Sequence, residues 1–221
     1  MKKKIQYKKF RSKKFLFKEC EKILVDEIKR NKNIMITGGK TYLNFYKKLN
    51  KIKNFNKINF FLSDERLSRN KNDLNSYHIK KSLNYESNKI NNINFFFDIN
   101  DYKIKNRYLL FKKIEKNFRK LNSKINLAFL GVGDDGHIAS IFNKNNKAYY
   151  MSKLFILSKN SYDKFYRLSF SFSYLKKINN IIFVLFGKNK KFLLNKNKKV
   201  SKTVFFNFLK KRKLNTKVFY V

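Results

Sequence analysis

The clearest indication of the fold is the stretch INLAFLGVGDDGHIASIF, residues 125–142. Its first six residues are mostly apolar and the next seven contain three glycines, so a buried strand is predicted to pass directly into a tight loop. Glycine is favoured where the backbone must turn sharply or approach a ligand closely. The loop ends at His137, two residues after Asp135. A histidine near a carboxylate can be held in one tautomer and act as a general acid or base, so His137 is predicted to carry the chemistry.

Outward from this stretch, apolar runs alternate with segments of helical periodicity. Strands are predicted at 34–37, 58–62, 93–97, 125–130, 153–157, 167–171, 181–186 and 217–221, and helices at 12–29, 43–49, 102–121 and after Gly187. This alternation predicts an α/β fold with a mostly parallel sheet and helices on both faces. In such sheets ligands bind beyond the carboxyl ends of the strands. All six glycines follow predicted strands, which indicates a site at that edge.

The composition fits one globular domain spanning residues 1–221, with 43% hydrophobic and 17% aromatic residues. The formal net charge of +40 would by itself indicate a nucleic-acid partner. The lysines and asparagines are instead spread along the whole chain, and Pro and Trp are absent, as an AT-rich coding sequence would produce. We therefore expect no specific nucleic-acid partner.

Several other classes are disfavoured by what the sequence lacks. A single cysteine excludes an intramolecular disulfide framework, and one cysteine with two histidines argues against a Cys/His zinc site. The basic start of the chain is not followed by an apolar signal-peptide region, and no run of about 18 apolar residues occurs. We expect a cytoplasmic protein without a membrane segment.

A second motif, TGGKT at 37–41, stands between a predicted strand and a predicted helix. The backbone N–H groups of Gly38 and Gly39, with a helix N-terminus behind them, would form a phosphate cradle. Lys40 would add a charge and Thr41 a hydroxyl group. The spacing is not that of a Walker loop, and a plain tight turn explains this motif equally well on its own.

A third motif, SDER at 63–66, again follows a buried strand and supplies Asp64 and Arg66. Its alternative interpretation is a solvated loop with a local ion pair. Late in the chain, Arg167 opens an alternating strand and Lys190 follows Gly187. Both are cations that can bind phosphate, although only the resemblance described next distinguishes them from the many other basic residues.

Taken together, these segments resemble the 6-phosphogluconolactonases, which share a larger fold group with the glucosamine-6-phosphate deaminases. The most specific segment is 130–142, which resembles the family pattern LGxGxDGHxASLF. The other matching segments are TGGKT at 37–41 (family SGGSTP), SDER at 63–66 (GDER), DLNSY at 73–77 (DxxSNY), RLSFS at 167–171 (RITLT) and FGKNK at 186–190 (GxxK).

Two details resemble the lactonases more than the deaminases. Arg66 completes the lactonase pattern Asp-Glu-Arg, and residues 139–142 read ASIF where lactonases have ASLF and deaminases have AFNE. The sequence departs from the family at Lys40, which replaces a small hydroxyl residue, and at Tyr42 and Asn143, which replace prolines.

The resemblance implies a three-layer α/β/α fold with a mostly parallel, modified Rossmann-like sheet. It implies hydrolysis of 6-phospho-D-glucono-1,5-lactone to 6-phospho-D-gluconate in the oxidative pentose phosphate pathway, without metal or cofactor. Catalytic roles are expected for His137, Asp135, Asp64 and Arg66. Phosphate binding is expected for Gly38, Gly39, Lys40, Thr41, Arg167 and Lys190.

Two alternatives stay open at this point. One is a glucosamine-6-phosphate deaminase or isomerase on the same scaffold, and the other is a basic RNA- or DNA-binding protein. For either enzyme the partner is a small sugar phosphate, and the chain is expected to act as a monomer or a small homo-oligomer.

Overall fold

The computed structural model describes residues 5–49, 58–84, 94–96, 106–120, 124–142, 153–161, 164–194 and 202–221. In these ranges the strands and α-helices follow in the order β1 (Ile5–Lys9), α1 (Lys13–Ile28), β2 (Asn33–Ile36), α2 (Lys40–Leu49), β3 (Asn59–Leu62), β4 (Asp64–Arg66), α3 (Asn75–Ser82), β5 (Asn94–Phe96), α4 (Arg107–Lys120), β6 (Leu127–Gly131), β7 (Phe155–Ser158), β8 (Arg167–Phe170), α5 (Phe172–Leu175), β9 (Asn180–Leu185), α6 (Val204–Lys211) and β10 (Thr216–Tyr220). Within the same ranges, 3₁₀ helices span Lys71–Asp73 and Lys188–Leu194.

The main sheet has the strand order β1-β10-β9-β6-β2-β3-β5 in the part of the chain that the structure describes. Every neighbouring pair in it is parallel, so all its strands end at the same edge. The central strands β6 and β9 are buried along almost their whole length, as expected for a parallel sheet covered on both faces. The predicted α/β class, with helices flanking a mostly parallel sheet, is confirmed.

The order of the strands places the ligand edge at a defined point. From β2 the chain proceeds outward through β3 to β5, whereas from β6 it proceeds the other way through β9 to β10. The change of direction between β2 and β6 is a topological switch point, where a crevice opens beyond the strand ends. The TGGKT loop follows β2 and the Gly-rich loop follows β6, so both lie at this crevice.

A second, smaller sheet was not predicted. It is antiparallel, with the order β4-β8-β7, and it begins one residue after β3 ends. Its register places Asp64 opposite Ser169 and Arg66 opposite Arg167. Residues 64–66 of the SDER segment therefore form a short strand, and its pairing with β8 places Arg167 beside Arg66.

Helix α1 shows how the sequence pattern forms the core. Its buried residues Leu16, Phe17, Cys20 and Leu24 recur every three or four positions and face the sheet. Of the predicted helix at 102–121, residues 107–120 form α4, and 102–105 and 121 lie outside the described residues. Its buried stripe is Leu110, Ile114 and Phe118, and Tyr108 is exposed. The segment after Gly187 is helical as predicted, in the 3₁₀ form.

Candidate active site

The predicted site residues meet at the carboxyl edge of the main sheet, in a cavity of about 170 Å³. Those that line it are Gly38, Gly39, Asp64, Arg66, His137, Arg167 and Lys190. Asp135 does not line the cavity but contacts His137 directly. Lys40 and Thr41 begin α2, and their side chains lie outside the described residues.

His137 and Asp135 form a hydrogen-bonded pair. The Nδ1 atom of His137 lies 2.6 Å from Oδ1 of Asp135, and the same oxygen accepts the backbone N–H of His137 at 3.1 Å. Burial alone would raise the pKa of Asp135, but the hydrogen bonds and charge of His137 outweigh it, so the pKa lies below its ordinary value. With Nδ1 directed at a carboxylate, Nε2 is the nitrogen left for proton transfer.

Glycine is required where this pair approaches the loop. A Cβ atom on Gly133 would overlap the His137 ring and would also collide with the Asp135 carboxylate. Gly136 has a φ of 81°, a conformation that L side chains rarely adopt, and a Cβ there would overlap Thr203. Glycine at positions 133 and 136 therefore has a packing reason, because a side chain at 133 would displace the imidazole and one at 136 would collide with Thr203.

Asp64 is a buried carboxylate held from three sides. Its Oδ1 accepts the hydroxyl of Ser63 at 2.8 Å, its Oδ2 accepts the hydroxyl of Ser140 at 2.6 Å, and Nη1 of Arg167 lies 3.7 Å from Oδ2. The residue before Ser140, Ala139, adopts a φ of 47°, which is unusual for a non-glycine residue. These contacts fix the orientation of Asp64 at the floor of the cavity.

Arg66 supplies a cation with spare donor capacity. Its Nη1 donates to the backbone carbonyl of Asp73 at 2.9 Å. Its Nε is buried and has no hydrogen-bond partner among the described residues. A buried donor without an acceptor is costly, so a ligand oxygen in the cavity would satisfy this group.

The loop after β2 has the form of an anion cradle. Gly39 has a φ of 95°, which glycine tolerates, and α2 begins at the next residue with its first N–H groups unpaired by the helix itself. Lys190 lies nearby on the 3₁₀ helix, with Nζ 3.8 Å from Oδ1 of Asp134. Burial lowers the pKa of Lys190 from its ordinary value, and Asp134 partly offsets this.

Three polar residues at the site escaped the assignment of roles from sequence. Asn75 lines the cavity and donates from Nδ2 to the backbone carbonyl of Asp64 at 3.0 Å. Ser140 holds Asp64, and Glu65 is almost completely buried behind the cavity. All three residues belong to segments that resemble the family patterns, so the resemblance could have indicated them. Their roles could not be assigned, because their side chains act on residues outside those local patterns.

A larger cavity, of about 440 Å³, lies at the opposite edge of the main sheet. Its walls include Lys124 and Lys177, which precede β6 and β9, together with Phe118 and Tyr174. It contains none of the motif residues and no acid–base pair, so the chemistry is not assigned there.

No described helix is long and apolar enough to cross a membrane.

The sequence matches a family of known proteins. The family model described as glucosamine-6-phosphate isomerases/6-phosphogluconolactonase matches residues 12–204. A 6-phosphogluconolactonase from Thermotoga maritima is 31% identical over 164 residues, which make up 71% of this chain and 70% of that protein.

Solved structures show the same architecture. The crystal structure of a 6-phosphogluconolactonase from Shewanella baltica has a TM-score of 0.84 at 17% identity, and the match covers 98% of this chain and 97% of that one. The crystal structure of the Thermotoga maritima 6-phosphogluconolactonase has a TM-score of 0.81 at 25% identity, covering 98% and 99%. The first match, at low identity, establishes the fold alone. The second match is a likeness in both fold and sequence.

Proposed function

The chain belongs to the family of glucosamine-6-phosphate isomerases and 6-phosphogluconolactonases, and from this membership we propose that it hydrolyses 6-phospho-D-glucono-1,5-lactone to 6-phospho-D-gluconate. The observation that carries the proposal is the His137–Asp135 pair, which shares one cavity with Asp64, Arg66 and the Gly38–Gly39 loop. An acid–base group, a cation and an anion cradle are what hydrolysis of a phosphorylated lactone requires.

The substrate phosphate binds at the Gly38–Gly39 loop in this proposal. The backbone N–H groups there and the N-terminus of α2 favour negative charge. Arg167 and Lys190 line the same cavity and add positive charge. The side chains of Lys40 and Thr41 are assigned to phosphate binding by the family resemblance.

His137 moves the proton in the reaction. Its Nε2 accepts a proton from water as the water oxygen bonds to the lactone carbonyl carbon, which gives a tetrahedral oxyanion. When the bond from that carbon to the ring oxygen breaks, the imidazolium returns the proton to the ring oxygen. Asp135 holds the productive tautomer and stabilises the imidazolium in between.

Arg66 acts as a hydrogen-bond donor and Asp64 as a hydrogen-bond acceptor. Arg66 stabilises the oxyanion, because its buried Nε has an unused N–H among the described residues. Asp64, fixed by Ser63 and Ser140, accepts hydrogen bonds from sugar hydroxyls or from the attacking water. No metal or organic cofactor enters this scheme, because an ester carbonyl is already electrophilic.

The enzyme is proposed to work in the cytoplasm on a small sugar phosphate, as one domain spanning residues 1–221. We assign it no specific nucleic-acid partner and propose a monomer or a small homo-oligomer. The acidic groups Asp64 and Asp135 at the site support the absence of a specific nucleic-acid partner, because a nucleic-acid groove would disfavour carboxylates.

The experiment is to follow both candidate reactions on the purified chain. Phosphorus NMR would follow conversion of the lactone to 6-phosphogluconate against the spontaneous rate, and ammonia release would be measured with glucosamine 6-phosphate. We expect accelerated lactone hydrolysis and no ammonia. Ammonia release without lactone turnover would instead assign the deaminase reaction.

A further inference from the structure

Glu65 is a buried carboxylate that the proposed mechanism does not use. It lies on β4 between Asp64 and Arg66, and only 1% of its surface is exposed. Neighbouring side chains on a strand point to opposite faces, and Glu65 does not line the cavity that Asp64 and Arg66 share. A carboxylate is costly to bury, so its contacts require an explanation.

The contacts of Glu65 are three backbone N–H groups. Its Oε1 accepts from Arg66 and from Asn75, and its Oε2 accepts from Ser76, each at 2.7 Å. Asn75 and Ser76 are the first two residues of α3, whose leading N–H groups have no partner within the helix. The first turn of α3 contains no acidic residue of its own, so Glu65 caps the helix from another element.

The capped helix end reaches the phosphate loop through Asn75. The side chain of Asn75 donates to the backbone carbonyl of Asp64 at 3.0 Å. It also packs so closely against Gly38 that a Cβ on that glycine would overlap it. A contiguous set of contacts therefore runs from Glu65 through Asn75 to the Gly38–Gly39 loop.

We propose that Glu65 is a positioning residue, whose ionised carboxylate fixes the N-terminus of α3 and thereby sets the Gly38–Gly39 loop for phosphate binding. The kinetic test of this role rests on the proposed function, because it uses the lactone as the substrate of the enzyme. The role predicts a defect in substrate binding rather than in proton transfer, because Glu65 touches neither the cavity nor His137.

The ionisation of Glu65 adds a second signature. Burial raises the pKa of Glu65 to about 7, against the lowering effect of the three backbone N–H groups. The titratable and charged groups on the elements packed against Glu65 are Asp64 and Arg66 on β4, Lys71 and Asp73 on the preceding 3₁₀ helix, Tyr77, His78, Lys80 and Lys81 on α3, and Arg167 on β8, where Leu168 lies opposite Glu65. Protonation converts one acceptor oxygen to a donor, so phosphate binding weakens as the pH falls through 7.

The test is the Glu65→Gln variant, which keeps the shape but directs an amide at one of the backbone N–H groups. We expect KM for the lactone to rise about tenfold with kcat changed less than about threefold, the pattern of lost uniform binding. Glu115→Gln is the matched control, because Glu115 pairs with Arg119 on the surface of α4, far from the motif residues, and both constants should stay unchanged.

Binding of 6-phosphogluconate, measured by calorimetry between pH 6 and 8, supplies the pH readout. The phosphate group itself titrates near pH 6 in every variant. We expect the wild-type Kd to rise more steeply on acidification than the Kd of Glu65→Gln. Parallel pH dependences would contradict the role of the ionised carboxylate.

Amide NMR separates this proposal from the proposed function. In Glu65→Gln the resonances of Gly38 and Gly39 should shift in the free protein, whether or not the wild type hydrolyses the lactone. If the variant does not fold, Asn75→Ala must reproduce the rise in KM and the shifts. Unmoved glycine resonances, or a fall in kcat at unchanged KM, would overturn the positioning role.

Discussion

The carboxylate of Asp135 decides which nitrogen of His137 is free. Because its Oδ1 lies 2.6 Å from Nδ1, the proton of the neutral imidazole is held on that side and Nε2 is a base. The pKa of Asp135 lies below its ordinary value, since burial raises it less than His137 lowers it. Asp135 therefore remains an acceptor at neutral pH.

Asp135→Asn should cost about a hundredfold or more in kcat, because the amide can donate to Nδ1 and favour the wrong tautomer. KM should change less than about threefold, since Asp135 does not line the cavity. Steady-state kinetics would measure both constants. Asp134→Asn is the matched control, and an equal loss of kcat in both variants would contradict the role given to Asp135.

Single residues also show where prediction from sequence stopped. His137, Asp64 and Arg66 could be found because they follow strands in recognisable motifs. Ser140 could be quoted but not given a role, because its hydroxyl meets Asp64 from 76 positions along the chain. Ala139, next to Ser140, has a left-handed backbone, which no local pattern indicates in a non-glycine residue.

At the scale of elements, the loop after β6 works because it contains glycine at set positions. Gly133→Ala should displace the His137 ring and reduce kcat by about tenfold or more, because small misplacements at a site are costly. Kinetics and the NMR signals of the imidazole would report the displacement.

Gly131→Ala is the matched control for that loop. A Cβ there would meet Thr37 at 3.8 Å and Tyr42 at 4.0 Å, which are ordinary contacts. Its free energy of unfolding should stay within about 1 kcal/mol of the wild type, with the imidazole signals unmoved. Equal displacement of the imidazole in both variants would contradict the packing argument.

Arg212, at the end of α6, joins elements that are distant in sequence. Only 1% of its surface is exposed, and its guanidinium donates to the hydroxyl of Thr216 and to the backbone carbonyls of Leu175, Lys176, Ile178, Asn179 and Asn215. Burial lowers its pKa to about 10, so it is still charged at neutral pH. It connects the turn after α5 to the start of β10.

Arg212→Met should therefore destabilise the fold by about 3 kcal/mol, because several buried carbonyls lose their donor. Chemical denaturation would measure this loss. Arg119→Met, at an exposed surface pair with Glu115, should cost less than about 1 kcal/mol. Similar losses in the two variants would show that the buried network contributes nothing special.

The elements that could be predicted are those whose sequence pattern follows from burial. Strands β2, β3, β6 and β9 are apolar runs because a covered parallel sheet buries both faces. β1 was missed because its IQYKK sequence is largely exposed at the sheet edge. β4 was interpreted as a polar loop because its pairing with β8 is a long-range contact.

At the scale of the whole molecule, the net charge of +40 is a property of the chain rather than of one surface patch. Repulsion among so many positive charges destabilises the compact folded state, and salt screens this repulsion. Raising the salt concentration from low to physiological should stabilise the protein on the order of 1 kcal/mol, which raises Tm by about 2–4 °C. Calorimetry would measure it, and a Tm that falls with salt would contradict net repulsion.

The whole mechanism depends on proton transfer by His137 in lactone hydrolysis. The most direct measurement is the rate of lactone disappearance with wild type and with His137→Ala, at a mildly acidic pH where spontaneous hydrolysis is slow. We predict wild-type turnover well above the spontaneous rate and a loss of about a hundredfold or more in the variant. A near-wild-type rate for His137→Ala, or a wild type no faster than the spontaneous reaction, would contradict the claim.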